Sequence, residues 1–227
     1  MDVERLRDGL IVSVQAGPHS LLNTPDAIAL LARVAEQNGA VAVRVEGADR
    51  ISAVRRVVKI PIIGLVKRSY PGFEPYITAT LGEVAEVLAA GADIVAFDAT
   101  PRPRPKGASI ITLIAWITGG GALAMADCAE ASDASSAVLA GAAIVATTLC
   151  GYTEETRGAE LPALDLVRAI RGTGAFTICE GGVSAPAVVG AAFDAGADAV
   201  VVGTAITNID VLVQTFVAAT PGRAKSR

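Results

Sequence analysis

Apolar residues in this chain come in short continuous runs between helical stretches, and glycine marks the boundary from one to the other. The clearest case is a phrase that occurs four times, as Gly39-Ala40-Val41-Ala42-Val43, Gly91-Ala92-Asp93-Ile94-Val95, Gly141-Ala142-Ala143-Ile144-Val145 and Gly196-Ala197-Asp198-Ala199-Val200. In each, glycine closes a helix and a strand begins. The copies lie roughly 50 residues apart, room for two β-α units, each a strand of about five residues, a helix of about eleven and two short loops. Four copies of a two-unit repeat make eight strands. The other strands are predicted between the phrases, at 9–14, 60–66, 122–126 and 176–179, with helices at 25–38 behind Thr24 as N-cap, 81–90 and 186–195.

Continuous β-branched runs mark strands buried on both faces of a parallel sheet. An open doubly wound sheet uses such strands too, but it has no need of four equivalent pairs. The pattern therefore predicts an α/β fold, a (β/α)8 TIM barrel in one domain over residues 1–220. Residues 221–227 carry no apolar anchor and read as a mobile C-terminal tail. The Pro/Arg-rich segment at 100–107 follows the fourth strand and is short enough to be a loop.

Composition narrows the chemistry. Of 227 residues 52% are hydrophobic and only 4% aromatic, so Ala, Val, Leu and Ile must fill the core. The net charge of -4 arises from 19 basic and 23 acidic residues without a long basic stripe, which argues against a nucleic-acid partner. The amino terminus mixes charges where a secretory signal needs an apolar segment, and no apolar stretch reaches the roughly 18 residues of a membrane span. Cys128, Cys150 and Cys179 are widely spaced, without a Cys-x-x-Cys pair, and read as reduced thiols in a cytoplasm. His19, the single histidine, lies in a loop, so a histidine triad or metal site is not expected. Cys128 beside Asp127 has no base to make it a nucleophile.

In such a barrel the active site forms at the C-terminal ends of the strands. The polar residues there are Gln15, Arg44, Glu46, Lys67, Asp98, Asp127, Thr147, Thr148 and Glu180. Lys67 follows an apolar strand and is launched from the dry centre of the fold. Desolvation near Arg44 or Arg68 lowers a lysine pKa and frees an amine as a base, whereas an ion pair with Glu46 or Asp98 would make it structural. Glu180 ends the seventh strand, where a desolvated carboxyl keeps its proton to higher pH. Together they form a base and an acid suited to proton transfer beside a carbonyl. Gly181-Gly182 and Gly203-Thr204, after strands seven and eight, sit where barrels hold phosphate, and 204–207 offers a helix start to an anion.

At this point the chain resembles the N-acetylmannosamine-6-phosphate 2-epimerases over nearly its whole length. The likeness rests on Gly9-Leu10-Ile11-Val12-Ser13-Val14-Gln15-Ala16, Val43-Arg44-Val45-Glu46-Gly47 and Pro61-Ile62-Ile63-Gly64-Leu65-Val66-Lys67-Arg68 with Tyr76-Ile77-Thr78 beyond it. Phe97-Asp98-Ala99-Thr100, Met125-Ala126-Asp127-Cys128 and Thr147-Thr148-Leu149-Cys150-Gly151-Tyr152-Thr153 complete it. The resemblance implies interconversion of N-acetyl-D-mannosamine 6-phosphate and N-acetyl-D-glucosamine 6-phosphate, a step in using sialic acid, without a redox cofactor. It implies Lys67 as base at C2 and Glu180 as acid/base partner. Gln15, Arg44, Asp127, Thr148 and Tyr152 would hold the sugar, and Gly181, Gly182, Gly203 and Thr204 its phosphate. Four positions depart from the family pattern: Val14 stands where cysteine is common, Cys150 where serine is, and Gly182 and Asn208 where basic residues are usual. A Schiff-base aldolase using Lys67, a non-catalytic sugar-phosphate-binding barrel and an epimerase of unphosphorylated sugar stay open as alternatives. The apolar last helix at 211–217 is suited to a homodimer interface.

Overall fold

The computed structural model of the protein describes residues 1–221; residues 222–227, nearly all of the expected tail, lie outside the described residues. Eight parallel strands close on themselves in chain order: β1 (Gly9–Val14), β2 (Ala42–Glu46), β3 (Ile62–Leu65), β4 (Ile94–Asp98), β5 (Leu123–Asp127), β6 (Ile144–Ala146), β7 (Phe176–Cys179) and β8 (Ala199–Val202). β8 returns to β1, setting Ala199 beside Gly9 and Val202 beside Val12. Around them run α1 (Pro25–Gln37), α2 (Ala48–Arg55), α3 (Leu81–Ala89), α4 (Ile110–Gly119), α5 (Ala131–Leu139), α6 (Leu164–Ile170), α7 (Pro186–Asp194), the single turn α8 (Thr204–Thr207) and α9 (Ile209–Ala218). The fold is the expected (β/α)8 barrel. No helix among the described residues is long and apolar enough to cross a membrane.

The repeated glycine has a conformational cause. Gly39, Gly91, Gly141 and Gly196 have φ of 93°, 92°, 100° and 103°, the left-handed region that a Cβ disfavours. The alanine after each reaches back five residues, as in Ala40 N–H to the Ala35 carbonyl at 3.0 Å and Ala197 N–H to Ala192 at 3.1 Å, so the helix ends in a Schellman motif. Gly121-Ala122 repeats the device after α4, with φ 84° and a 3.3 Å bond to Ile117. The aspartate of two phrases then ties down the neighbouring strand: Asp93 Oδ2 accepts from Ile62 N–H at 2.9 Å and Asp198 Oδ2 from Thr177 N–H at 2.8 Å. Helix starts are capped as well, α1 by Thr24 and α3 by a capping box of Thr80 and Glu83.

Neighbouring residues of a strand point to opposite sides, and here both sides are dry. Val43, Val45, Val95 and Phe97 pack against the helices. Ile63, Leu65, Ile144, Ala146, Phe176 and Ile178 fill the barrel interior, with Leu6 from the turn ahead of β1. Counting on by two past the strand ends keeps Lys67, Thr148 and Glu180 on the inward side. The same alternation that builds the core therefore delivers these side chains to the barrel mouth.

Candidate active site

The C-terminal ends of the strands open onto a cavity of about 1100 Å³, lined by Gln15, Arg44, Lys67, Thr148, Tyr152, Glu180, Gly181, Gly182, Gly203 and Thr204. Arg44 is its floor. Only 1% exposed, its guanidinium crosses from β2 to Asp127 on β5, Nη1 to Oδ1 at 3.0 Å and Nη2 to Oδ2 at 2.6 Å, while Nη1 also donates to Glu180 Oε2 at 2.8 Å. The Thr148 hydroxyl lies 2.8 Å from Asp127 Oδ1 and 3.1 Å from Glu180 Oε2, with one proton to give to either. Asp127 is fully buried and absent from the cavity wall. It acts on the cavity through Arg44, whereas the family resemblance implies contact with the sugar itself.

Glu180 is fixed at its backbone. The Thr147 hydroxyl accepts from Glu180 N–H at 3.0 Å and lies 2.9 Å from the Glu180 carbonyl, to which it donates. Desolvation pushes the Glu180 pKa up, and although Arg44 pulls it down, the like charge of Asp127 leaves it above the usual carboxylate value. Such a carboxyl holds a proton to higher pH than an exposed glutamate does.

Lys67 is open to the cavity yet closely walled by protein. Desolvation, and then the like charge of Arg44, draw its pKa below the ordinary lysine value. The acids that would neutralise it are occupied elsewhere: Glu46 pairs with Arg50 at 2.9 Å and Asp98 with Arg102 at 2.8 Å. Among the described residues the Lys67 amine forms no ion pair. Arg68 turns outward to Glu86 at 3.2 Å.

The remaining candidates form the wall and rim. Gln15 Nε2 donates to Ser13 Oγ at 2.8 Å, and Tyr152 stands at the mouth. Gly181 and Gly182, at φ 100° and 73°, turn the chain after β7, and a Cβ on Gly182 would lie 2.4 Å from that of Leu161. Thr204 opens α8, which is one turn long, so an anion there meets separate N–H groups rather than a helix dipole of any size. Asp98, although at a strand end, is fully buried and faces its own loop, bonding the Thr100 hydroxyl at 2.6 Å and Arg102 at 2.8 Å.

Other cavity residues lie off the strands: Tyr76, Arg50, Ser184, Thr207 and Asn208. Tyr76 arrives because the loop after β3 folds back, Ile77 bridging Lys67 in antiparallel fashion. No group of three or more His, Cys, Asp or Glu among the described residues is arranged to hold a metal ion. The three cysteines are free and buried, and burial pushes the Cys128 thiol well above its usual pKa.

Known proteins resemble the whole assembly. A family model described as "Putative N-acetylmannosamine-6-phosphate epimerase" matches residues 28–221. A protein of Synechococcus elongatus is 45% identical over 97% of this chain and 97% of its own length, and one of Shigella dysenteriae is 44% identical over 92% and 90%. Both bear the name "Putative N-acetylmannosamine-6-phosphate 2-epimerase". The solved structure of N-acetylmannosamine-6-phosphate 2-epimerase from Clostridium perfringens superposes with a TM-score of 0.92 at 34% identity, covering 96% of this chain and 95% of that one. With the family model matched from α1 to the end of the described residues, this chain belongs to the N-acetylmannosamine-6-phosphate epimerase family.

Proposed function

We propose that this protein interconverts N-acetyl-D-mannosamine 6-phosphate and N-acetyl-D-glucosamine 6-phosphate by proton transfer at C2, a step in amino-sugar use. The observation that carries the reading is the placement of Lys67 and Glu180. They extend from β3 and β7, four places apart in a closed ring of eight strands, and so from opposite walls of one cavity. Two-residue inversion at carbon uses that arrangement, because one residue takes the proton from one face and the other returns a proton to the opposite face.

In the open-chain sugar the C1 aldehyde acidifies the C2 proton. The neutral Lys67 amine takes that proton, the C2–H electron pair moves into the C1–C2 bond, and the carbonyl electrons move to oxygen as an enolate. Glu180, as the carboxylic acid, then gives its proton to the opposite face of C2 and the carbonyl reforms. Arg44 aims the Glu180 carboxyl and supplies positive charge beside the developing enolate. In the reverse direction the two residues exchange roles. Both epimers have the same oxidation state, so no redox partner enters the balance.

Gln15, Thr148 and Tyr152 are positioned to hold the sugar, and Gly181, Gly182, Gly203 and Thr204 to meet its 6-position. Free cysteines suit a reducing cytoplasm, and the apolar face of α9 suits a second copy of the chain. The test is proton NMR with N-acetylmannosamine 6-phosphate in heavy water. The expected result is the gluco epimer bearing deuterium at C2. Absence of both epimerisation and C2 exchange, in folded protein, would falsify the reading.

A further inference from the structure

A carboxylate beside an amine that must act as a base works against it, because the opposite charge favours the protonated amine. Glu46 is placed to do this. It lies opposite Leu65 across the ladder of β2 and β3, so Lys67, two residues further on, is its diagonal neighbour on the same inward side. The Lys67 backbone N–H already donates to Glu46 Oε1 at 3.4 Å, and both side chains line the cavity. The charge of Glu46 pulls the Lys67 pKa upward, against burial and Arg44.

Arg50, in the first turn of α2, takes hold of Glu46. Its Nη1 donates to Glu46 Oε2 at 2.9 Å and to the Glu46 carbonyl at 3.2 Å, so one guanidinium nitrogen grips both ends of the residue. The intervening Gly47, at φ 91°, makes room for the grip: a Cβ there would lie 2.1 Å from Arg50 Nη1. The other groups around Lys67 are committed. Arg44 from β2 binds Asp127 from β5 and Glu180 from β7, and Arg68 turns out to Glu86. Tyr76, on the loop after β3, has its pKa raised by burial and brings no charge. Glu46 is thus the acid near Lys67 that Arg44 does not hold.

We propose that Arg50 is a positioning residue for the reaction: by gripping Glu46 it prevents an ion pair between Glu46 and Lys67 and so keeps the amine for the substrate. The proposal rests on the reading of Lys67 as the base at C2 and assigns Arg50 a part in that chemistry. Its test reads the amine directly, whether or not the sugar turns over.

The chain has four lysines, Lys59, Lys67, Lys106 and Lys225, so full-length protein labelled with 13C at lysine Cε gives few NMR signals. That of Lys67 is the one missing from Lys67→Arg. In Arg50→Met its titration midpoint is expected to rise by about one pH unit or more. The neutral amine at pH 7 then falls about tenfold, and kcat/KM for N-acetylmannosamine 6-phosphate falls with it. In a Glu46→Gln background the same Arg50→Met should move the midpoint less than about half as far, the coupling that a double-mutant cycle isolates. Arg50→Lys keeps an ion pair one turn apart and should stay near the parent midpoint. Should the methionine variant not fold, Arg50→Gln removes the same charge. An unchanged midpoint in the neutral variants overturns the proposal, because Glu46 then does not reach Lys67. An equal rise in both backgrounds overturns it too, since Arg50 would act by its own charge. If the midpoints move as expected while the parent epimerises nothing, the function fails and the grip of Arg50 on Glu46 stands.

Discussion

Among the described residues Lys67 stands in the cavity without a carboxylate of its own, one strand away from an arginine that holds two. A lysine so placed contributes little to stability, since no ion pair is lost with it. Lys67→Ala is expected to unfold within about 0.5 kcal/mol of the parent, while turnover falls about 10²- to 10⁴-fold. Thermal denaturation beside the deuterium-exchange assay separates the two effects, and a near-normal rate would remove Lys67 from the mechanism. The same residues set the pH dependence. As pH falls Lys67 gains a proton and ceases to be a base; as pH rises Glu180 loses the one it must give. With the lysine pKa lowered and the glutamate pKa raised, kcat/KM follows a bell whose limbs belong to the coupled pair. A plateau unbroken from acid to strongly alkaline pH would count against it. Arg44, Lys67 and Glu180 were legible in the sequence because each ends or follows an apolar run. Asp98 has the same signature yet serves its own loop, and Tyr76 and Arg50 reach the cavity from a folded-back loop and a helix, which no local pattern announces.

Among the elements, the glycine phrase was legible as a strand signal, but its first residues close the preceding helix instead. Gly91-Ala92 completes the end of α3, so β4 begins only at Ile94; the same displacement delays β2, β6 and β8. The last helix extends beyond the expected 211–217 because Asn208 caps it one turn earlier. Gly64 has a different reason for being glycine. It lies on the outward face of β3, where an added Cβ would come within 2.7 Å of Ala92 Cβ and Val87 Cγ1 and 2.9 Å of Ile51 Cδ1. Glycine lets α2 and α3 settle onto the strand that launches Lys67. Gly64→Ala should cost about 1–3 kcal/mol through overpacking, and by moving β3 it should lower turnover as well. At Gly39 nothing lies within 4 Å of an added Cβ, so Gly39→Ala should cost only the left-handed penalty of about 1–2 kcal/mol and spare activity. Urea denaturation with parallel rates checks the contrast; equal losses of activity in the two variants would deny β3 its special role.

At the scale of the whole molecule, α9 stands apart because, among the described residues, it packs no side chain into the core. Each of α1 to α7 buries at least one residue, whereas α9 buries none. Val213 is 54% exposed and Phe216 75%, and Ile206 and Ile209 extend the apolar face. Contiguous apolar surface of this kind is characteristic of an interface, and a twofold pair of identical faces is the simplest way to cover it. The other side of the same helix, through Val211, Leu212 and Thr215, lines the cavity, so whatever covers α9 also steadies one wall of the site. We therefore expect a homodimer in solution, and expect Phe216→Glu to shift it to monomer in sedimentation experiments, because a buried unpaired carboxylate costs far more than the ring contributed. Since Phe216 itself does not line the cavity, the monomer should keep Lys67 and Glu180 in place and lose chiefly substrate affinity, raising KM more than it lowers kcat. A parent protein that sediments as a monomer would refute the dimer, and a monomeric variant with unchanged KM would separate assembly from the site.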